Sequence, residues 1–286
     1  MLNACIRYYY FLLGLLTDRI VVMDEEMKRR LVQFIPEHKV VSVPFWIKNT
    51  HTSITKKSAR RKLGVSNDKF VLLYFGFITW YKGADWLIDQ VRLSAFRKKH
   101  KNIELIMAGG EAWSLKDQLY YQQYYKSQMA KAGETKHIRI TGFVKDEDIR
   151  TYFSAADAVI FPYRGLIGSS GAVTYALANR KPILISNKMK NALNNTDYQT
   201  ALAESGLTAK DMVFTHVGNS FNTAVSRLQN TSFLSQLTHC SQAIRDRRNF
   251  ETQLPVYYQT LFCDTAQSAV RLIKEILHAR FNLAQT

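Results

Sequence analysis

The sequence predicts an α/β protein built on a doubly wound parallel sheet, and three observations lead to that class. First, short apolar runs of four to six residues, rich in β-branched and aromatic side chains, recur along the 286 residues. Second, a longer stretch with helical spacing follows most of these runs, as expected for strands covered on both faces by crossover helices. Third, the composition, with 47% hydrophobic and 22% charged residues, is typical of a folded globular protein and excludes disordered and fibrous classes.

The apolar runs predict eight strands and the stretches between them predict the helices. In chain order the predicted strands are Arg19–Met23, Val40–Val43, Phe70–Gly76, Ile103–Ala108, His137–Thr141, Ala158–Phe161, Pro182–Ile185 and Met212–Thr215. The predicted helices are Glu25–Phe34, Ala84–His100, Leu115–Ala132, Asp146–Ala155, Ser170–Asn179, Asp197–Ser205, Asn219–Leu228, Thr231–Arg248 and a long stretch from Leu254 onward. This alternation predicts parallel strands joined by crossover helices.

The polar stretch 49–62 is a predicted linker leading into a helix, since it carries five basic residues and lies between two strand patterns. The six strands after it, with their helices, make a complete doubly wound domain over residues 63–250. Residues 1–48 supply only a strand, a helix and a strand, which cannot cover both of their own faces and must therefore pack on another element. Residues 251–286 form a predicted C-terminal helix.

The charge balance points to a polyanionic ligand. With 39 basic and 23 acidic residues the net charge is +16, which suits nucleotide phosphates, nucleic acid or an acidic lipid surface. The basic residues concentrate in Lys56–Lys62, Arg97–Lys101 and Arg245–Arg248, and each cluster is either a solvated helix face or a contact to anionic lipid. No groove-reading motif is present, so nucleic-acid binding is not predicted.

Membrane-spanning segments, metal sites and disulfides are not predicted. The longest apolar stretch, Tyr8 to Leu16, is far shorter than the ~20 residues of a membrane span. The seven histidines show no ligand spacing, and the three cysteines are far apart, which favours a reducing, cytoplasmic location.

Glycine opens or fills four loops that follow strands of the large domain, at the edge where open α/β sheets bind ligands. The loops begin at Gly76, Gly109, Gly142 and Pro162. Glycine allows close approach of backbone N–H groups to a ligand, and the segment 169–171 stands where a helix begins, so this edge favours a phosphate. Taken singly, each glycine or serine is more often explained by simple turn geometry or helix capping, and it is the occurrence of four such loops on one edge that favours a ligand site.

Two cations in these loops are candidates to neutralise the phosphate. Lys82 lies in the first loop and Arg164 in the last, and both side chains suit phosphate recognition. The segment 168–171 lacks the spacing of a hydrolase nucleophile elbow, so serine nucleophile chemistry is not predicted.

Four segments carry a resemblance to a known family. FVLLYFGFITWYKG (70–83), IELIMAGGE (103–111), IRITGFVKDEDIRTYFSAADAVIFPY (138–163) and SSGAVTYALANRKPILIS (169–186) resemble, in order and spacing, the C-terminal, donor-binding half of glycosyltransferase family 4. The resemblance implies a GT-B enzyme with two Rossmann-like domains facing a cleft, in which residues 1–48 are a remnant of the acceptor domain. It also implies sugar transfer from a nucleotide-diphosphate sugar, with retention of configuration and without a metal or other cofactor.

The resemblance assigns Lys82 to the donor diphosphate, with Arg164 as a second catalytic candidate. The backbone of the loop at 142–144 is expected to receive the base, and the helix start at 169–171 is expected to lie over the phosphates. The predicted donor-binding residues are Gly76, Gly83, Glu111, Phe143, Val144, Tyr163, Gly168, Ser169, Ser170, Gly171 and Tyr175.

The sequence departs from the family pattern at three positions. Ile167 and Tyr175 stand where members commonly carry two glutamates, although a tyrosine hydroxyl can still bond a ribose hydroxyl. Phe77 replaces a frequent arginine, for which Arg164 is the candidate substitute. These differences are compatible with a subtype of the family.

On this resemblance we expect most of the acceptor domain to be missing from the given sequence, because only 18 residues precede the first predicted strand at Arg19. Three interpretations stay open: a fragment, an enzyme whose N-terminal domain is a separate chain, or a non-catalytic subunit that binds a nucleotide sugar. Besides that sugar, the expected partners are an acceptor glycan or glycolipid and an anionic membrane surface at the inner face of the membrane.

Overall fold

A computed structural model of the protein describes residues 2–47, 54–165 and 170–262. The strands are β1 (Ile20–Val22), β2 (Val40–Ser42), β3 (Phe70–Phe75), β4 (Ile103–Ala108), β5 (Ile138–Ile140), β6 (Ala158–Phe161), β7 (Ile183–Ser186) and β8 (Val213–Phe214). The helices are α1 (Leu2–Leu16), α2 (Glu25–Leu31), α3 (Lys56–Leu63), α4 (Ala84–Arg92), α5 (Ser94–Lys99), α6 (Leu119–Gly133), α7 (Asp146–Ala155), α8 (Gly171–Ala178), α9 (Thr196–Glu204), α10 (Ala209–Met212), α11 (Ser220–Leu228), α12 (Thr231–Arg247) and α13 (Phe250–Phe262). The chain divides into two compact units, one of residues 1–49 with 246–286 and one of residues 50–245.

The larger unit contains a six-stranded parallel sheet in the order β5-β4-β3-β6-β7-β8, which confirms the predicted fold class. The chain builds outward from β3 to β5 on one side and then returns to place β6 on the other side of β3. The direction of winding therefore reverses between β3 and β6. In open α/β sheets a ligand binds at this switch point, outside the carboxyl ends of the strands.

The central strands β3 and β6 are apolar along their whole length because helices cover both faces of the sheet. Residues of β6 and the centre of β3 are fully buried, which explains why their sequences show continuous apolar runs instead of alternation. Burying these side chains supplies the main stabilisation of the unit, since each fully buried large aliphatic or aromatic side chain contributes about 1.5–3 kcal/mol.

Part of the predicted linker 49–62 is the helix α3, while residues 48–53 lie outside the described residues. The helix is fixed to the sheet by Arg60, which is buried despite its charge. Its Nη2 lies 2.6 Å from Asp157 Oδ2, and its Nε donates to the Ala155 carbonyl over 3.0 Å. The cluster Lys56–Lys62 thus lies on a helix, and its central arginine has a buried carboxylate partner that the sequence does not reveal.

The predicted helix 84–100 is divided into α4 and α5 at Leu93, whose ψ of 131° leaves the helical region. The break redirects the chain so that Phe96 is buried and stacks on Phe221, with ring centroids 5.8 Å apart. No glycine or proline marks the position, so tertiary packing, which the sequence pattern does not report, sets it.

The smaller unit pairs β1 with β2 in parallel, with Ile20 opposite Val40. Helix α1, which was not predicted, packs Tyr10 and Leu13 against the small core. The C-terminal segment supplies further packing: Ile47 N–H donates to the Arg248 carbonyl over 2.6 Å. In addition, the Tyr257 hydroxyl donates to the Pro44 carbonyl over 3.2 Å.

Helix α1 also carries exposed aromatic side chains, among them Tyr8, Tyr9 and Phe11. Within the described ranges, no helix combines the length and apolar character needed to cross a membrane.

Candidate functional site

The loops after β3, β4 and β5 are in direct backbone contact. A Cβ on Gly109 would overlap the Gly76 carbonyl, and a Cβ on Gly110 would lie 2.8 Å from the Phe143 backbone nitrogen. These two glycines are therefore required by close packing of neighbouring loops, beyond simple turn geometry. Gly142 differs, because its φ of +77° requires glycine while no atom lies within 4 Å of its Cβ position.

The loops after β3 and β6 meet in the same way across the switch point. Gly83 has a φ of +72°, and a Cβ there would overlap the Pro162 carbonyl oxygen. That oxygen accepts a hydrogen bond of 2.8 Å from His216 Nε2. Gly83 thus allows the first turn of α4 to approach the end of β6, and the four predicted loops form one continuous rim.

The ammonium group of Lys82 lies next to Gly76, where the first loop of this rim begins. Its Nζ lies 2.9 Å from the position of a Gly76 Cβ, and it faces the rings of Phe77 and Tyr163 at 5.6 and 5.8 Å from their centroids. Within the described part of the chain it has no hydrogen-bond or ion-pair partner, and burial lowers its pKa below the ordinary value. A half-buried cation without a counter-ion is a strong attractor for an anionic ligand.

Tyr163 connects Lys82 to the beginning of α8. Its side chain is buried, burial raises its pKa to about 12, and its hydroxyl lies 3.2 Å from Ser170 Oγ. Ser170 is the N-cap residue of α8, yet no side chain in the described ranges caps the helix N–H groups, and Gly171 is exposed. Lys82 and the N-terminus of α8 therefore lie next to the same tyrosine, as expected for a phosphate-binding site. We call this site, formed by Lys82, Tyr163 and the start of α8, the Lys82 seat. The predicted residues Gly168 and Ser169 lie outside the described residues.

Arg164 occupies the same rim but is ion-paired. Its Nη1 lies 2.9 Å from Asp85 Oδ2, and its backbone N–H donates to the Tyr81 carbonyl over 2.8 Å. The Tyr124 hydroxyl also reaches Asp85, over 3.4 Å. The positive charge of Arg164 is thus partly neutralised within the protein.

The remaining predicted residues belong to α8 and to the loops after β4 and β5. Tyr175 is an exposed residue of α8, and its ring packs against Phe75 and Phe153 at centroid distances of 5.5 and 6.2 Å. Phe143 is exposed and lies edge-on to Trp113, with centroids 6.3 Å apart. Val144 is half-buried and Glu111 is exposed.

Two residues that support the rim were not predicted. The Tyr121 hydroxyl accepts from the Ala112 N–H over 2.6 Å and donates to the Ile78 carbonyl over 3.0 Å, which ties the first two loops together. Tyr121 is buried and belongs to a run of tyrosines at helical spacing, a pattern that indicates packing and does not reveal the role of the hydroxyl. His216 supports the Pro162 carbonyl, and a lone histidine gives no sequence signal for such a contact.

Comparison with known proteins identifies the family. Residues 69–213 match the family described as Glycosyl transferases group 1. An uncharacterized glycosyltransferase of Methanocaldococcus jannaschii is 24% identical over 178 residues, which cover 59% of this chain and 42% of that protein. The chain therefore belongs to the group 1 glycosyltransferases, and the resemblance drawn from its sequence is confirmed.

Solved structures with the same GT-B fold show how much of a relative the chain spans. A glycosyltransferase from Rickettsia africae ESF-5 superimposes with a TM-score of 0.64 at 15% identity, and Anabaena Alr3699/HepE in complex with UDP and glucose superimposes with a TM-score of 0.59 at 14% identity. In each case the match covers 95% of this chain and 66% of the other.

Proposed function

We infer that the larger unit binds a nucleotide-diphosphate sugar and that the protein transfers this sugar to an acceptor hydroxyl, with retention of configuration and without a metal ion. The observation that carries this inference is that the Lys82 ammonium and the start of α8 adjoin the same tyrosine, and that among the described residues the lysine has no hydrogen-bond or ion-pair partner and the helix has no side-chain cap. Family membership supports the reaction class, and the Anabaena neighbour, whose complex contains UDP and glucose, suggests the first ligand to test.

The chemistry of the transfer explains why these groups are needed. The acceptor oxygen forms a bond to the anomeric carbon as the bond from that carbon to the diphosphate oxygen breaks, and the electron pair stays on the nucleoside diphosphate. The acceptor proton passes to the departing diphosphate oxygen. Because negative charge grows on the leaving group, fixed donors stabilise the transition state more than the bound substrate.

Lys82 and the α8 N-terminus supply that stabilisation from two directions. The ammonium brings a full positive charge, and the free N–H groups at the start of α8 bring hydrogen bonds and the positive end of the helix dipole. With this positive charge at the diphosphate, the proposed reaction proceeds without a metal ion. Arg164, paired to Asp85, is proposed to act as a positioning residue that holds the two loops together.

The rest of the rim is proposed to hold the nucleoside and the acceptor. The backbone at Phe143 and Val144 receives the base, and the Tyr175 hydroxyl bonds the ribose. The acceptor is proposed to be a glycan or glycolipid, in keeping with the structural likeness to WaaG, a glycosyltransferase involved in lipopolysaccharide biosynthesis. A location at the inner face of the membrane is part of the same proposal.

A second candidate function is nucleotide-sugar binding without transfer. The protein would then be a non-catalytic donor-binding subunit or the partner of another chain. Tyr175 favours this function, because this residue stands where the family commonly has a glutamate and its ring packs against Phe75 and Phe153. A tyrosine held in this way offers the donor a hydroxyl but no carboxylate.

Thermal-shift titration with UDP, GDP and ADP tests binding, and nucleotide release from the matching sugar donor tests transfer. One nucleotide is expected to protect the wild-type protein, with protection lost in Lys82→Ala and kept in Lys98→Ala, an exposed lysine of α5. Protection with no nucleotide release in the presence of candidate acceptors supports the binding-only function. Equal protection of the two variants would refute the assigned seat.

A further inference from the structure

The basic helix α3 divides its five cations into two groups. Lys56 and Arg60 both pair with Asp157, and Lys62 pairs with Asp148. Lys57 and Arg61 have no hydrogen-bond or ion-pair partner within the described ranges. These two residues are four positions apart, so they lie on one face of the helix about one turn from each other.

The two unpaired cations line a cavity of about 590 Å³. Ser58 and Asn67 also line it, and neither side chain donates a hydrogen bond to another described residue. The cavity therefore offers an ammonium, a guanidinium, a hydroxyl and an amide that are all free to donate.

The wall of the cavity is built into the fold. Gly64 ends α3 in the left-handed conformation, with a φ of 63°, and turns the chain back along the helix. The returning segment is held by a hydrogen bond of 2.9 Å from Arg60 Nη1 to the Asn67 carbonyl, while Val65 is buried beneath it. Because Arg60 is itself anchored to Asp157, the donors on α3 and on the turn keep a fixed spacing.

This cavity is separate from the candidate donor site. Asn67 precedes β3 and Asp157 precedes β6, so α3 lies at the amino ends of the strands. The Lys82 seat lies at their carboxyl ends, on the opposite edge of the same sheet.

We propose that the α3 cavity binds the phosphate group of a second anionic ligand. A guanidinium and an ammonium one helical turn apart suit phosphate oxygens, with the arginine contributing a two-pronged contact. The cavity is open to solvent and larger than a bare phosphate, which leaves room for a phosphate carried on a larger group. That group is either a soluble phosphorylated metabolite or a lipid headgroup.

Isothermal titration of Lys82→Ala, in which the Lys82 seat is disabled, with pyrophosphate and glucose 6-phosphate, and co-sedimentation with phosphatidylglycerol vesicles, tests the proposal and separates the two sources. The double variant Lys57→Gln/Arg61→Gln is expected to weaken binding at least about tenfold, since it removes two charge-assisted contacts. The double variant Lys98→Gln/Lys99→Gln removes the same charge from α5 and is expected to leave binding unchanged.

Ser58→Glu provides a test that is independent of folding defects. Position 58 is the third residue of α3, where glutamate completes a capping box with Thr55 and stabilises the helix. The variant is therefore expected to unfold no earlier than wild type while its carboxylate repels the anion and weakens binding.

Binding of vesicles alone assigns a lipid headgroup, and binding of the soluble phosphates assigns a metabolite. No saturable binding of any probe, or an equal loss in the Lys98/Lys99 variant, would overturn the proposal.

Discussion

The Arg164 guanidinium and the Asp85 carboxylate form an ion pair, with Nη1 2.9 Å from Oδ2, that joins the loop after β6 to the first turn of α4. The sequence suggested Arg164 as a phosphate ligand, but its charge already has a partner. Lys82, which has none in the described part of the chain, is therefore the stronger phosphate ligand of the two.

A double-mutant cycle separates positioning by Arg164 from direct phosphate binding. Arg164→Gln and Asp85→Asn are each expected to weaken UDP binding by about threefold, because a partly exposed ion pair contributes no more than about 1 kcal/mol. The double variant is expected to bind as tightly as either single variant, since both changes remove one interaction. A much larger loss in Arg164→Gln than in Asp85→Asn would instead assign Arg164 to the phosphate.

We expect the affinity for UDP to decrease at a lower pH, on the alkaline side, than it would if Lys82 had the ordinary pKa of a lysine. Burial lowers the pKa of Lys82 in the free protein, whereas a bound diphosphate raises it, so the complex holds more protons than the free protein between the two values. Affinity therefore decreases as pH rises through this window.

Titration calorimetry of Lys82→Arg supplies the control for this pH dependence. Arginine stays charged throughout the range, so its affinity is expected to be flat where that of the wild type declines. A parallel decline in both proteins would show that another group titrates.

The sheet was predictable from sequence because parallel strands that are buried on both faces consist of continuous runs of apolar residues. Each predicted strand of the larger unit is present within one or two residues of its predicted ends. Lys82 and the glycine loops were found for a related reason, since a parallel sheet brings the carboxyl ends of its strands to one edge.

What the sequence did not reveal depends on contacts between residues far apart in the chain. The pairing of Arg60 with Asp157, 97 residues away, fixes the basic helix α3 to the sheet. The break at Leu93 and the hydrogen bond of His216 to Pro162 are also set by tertiary neighbours. Local sequence patterns indicate which face of an element is buried and where a turn lies. They do not indicate which distant residue pairs with a given charged side chain.

Gly83→Ala is expected to abolish UDP binding and to destabilise the larger unit by more than backbone strain alone. Its φ of +72° is unfavourable for alanine by about 1 kcal/mol, and the new Cβ would also overlap the Pro162 carbonyl. Gly64→Ala is the matched control, because Gly64 has a φ of +63° and no atom within 4 Å of its Cβ position. Urea unfolding should show a clearly greater loss for Gly83→Ala, and equal losses would mean that the close approach is not rigid.

The stability of the larger unit is expected to rise with pH above 8 because of Lys181. Its Nζ donates to the Ala156 carbonyl over 2.8 Å, and burial together with nearby Lys56 and Arg60 lowers its pKa to about 8 from the ordinary 10.5. Below pH 8 the native state carries the full cost of a buried charge. Between pH 8 and 10.5 the native protein releases this proton while the unfolded chain keeps it, so the free energy of unfolding increases, by at most about 3 kcal/mol.

Lys181→Met tests this effect through the slope of stability against pH. Methionine keeps much of the aliphatic length and does not titrate, so urea unfolding between pH 8 and 10.5 should lose the rising component seen in wild type. The slope is the informative quantity, because the substitution also removes the hydrogen bond to Ala156 and lowers stability at every pH. An unchanged slope in Lys181→Met would mean that the buried ammonium keeps an ordinary pKa, and that the carbonyl groups around it replace the water lost on folding.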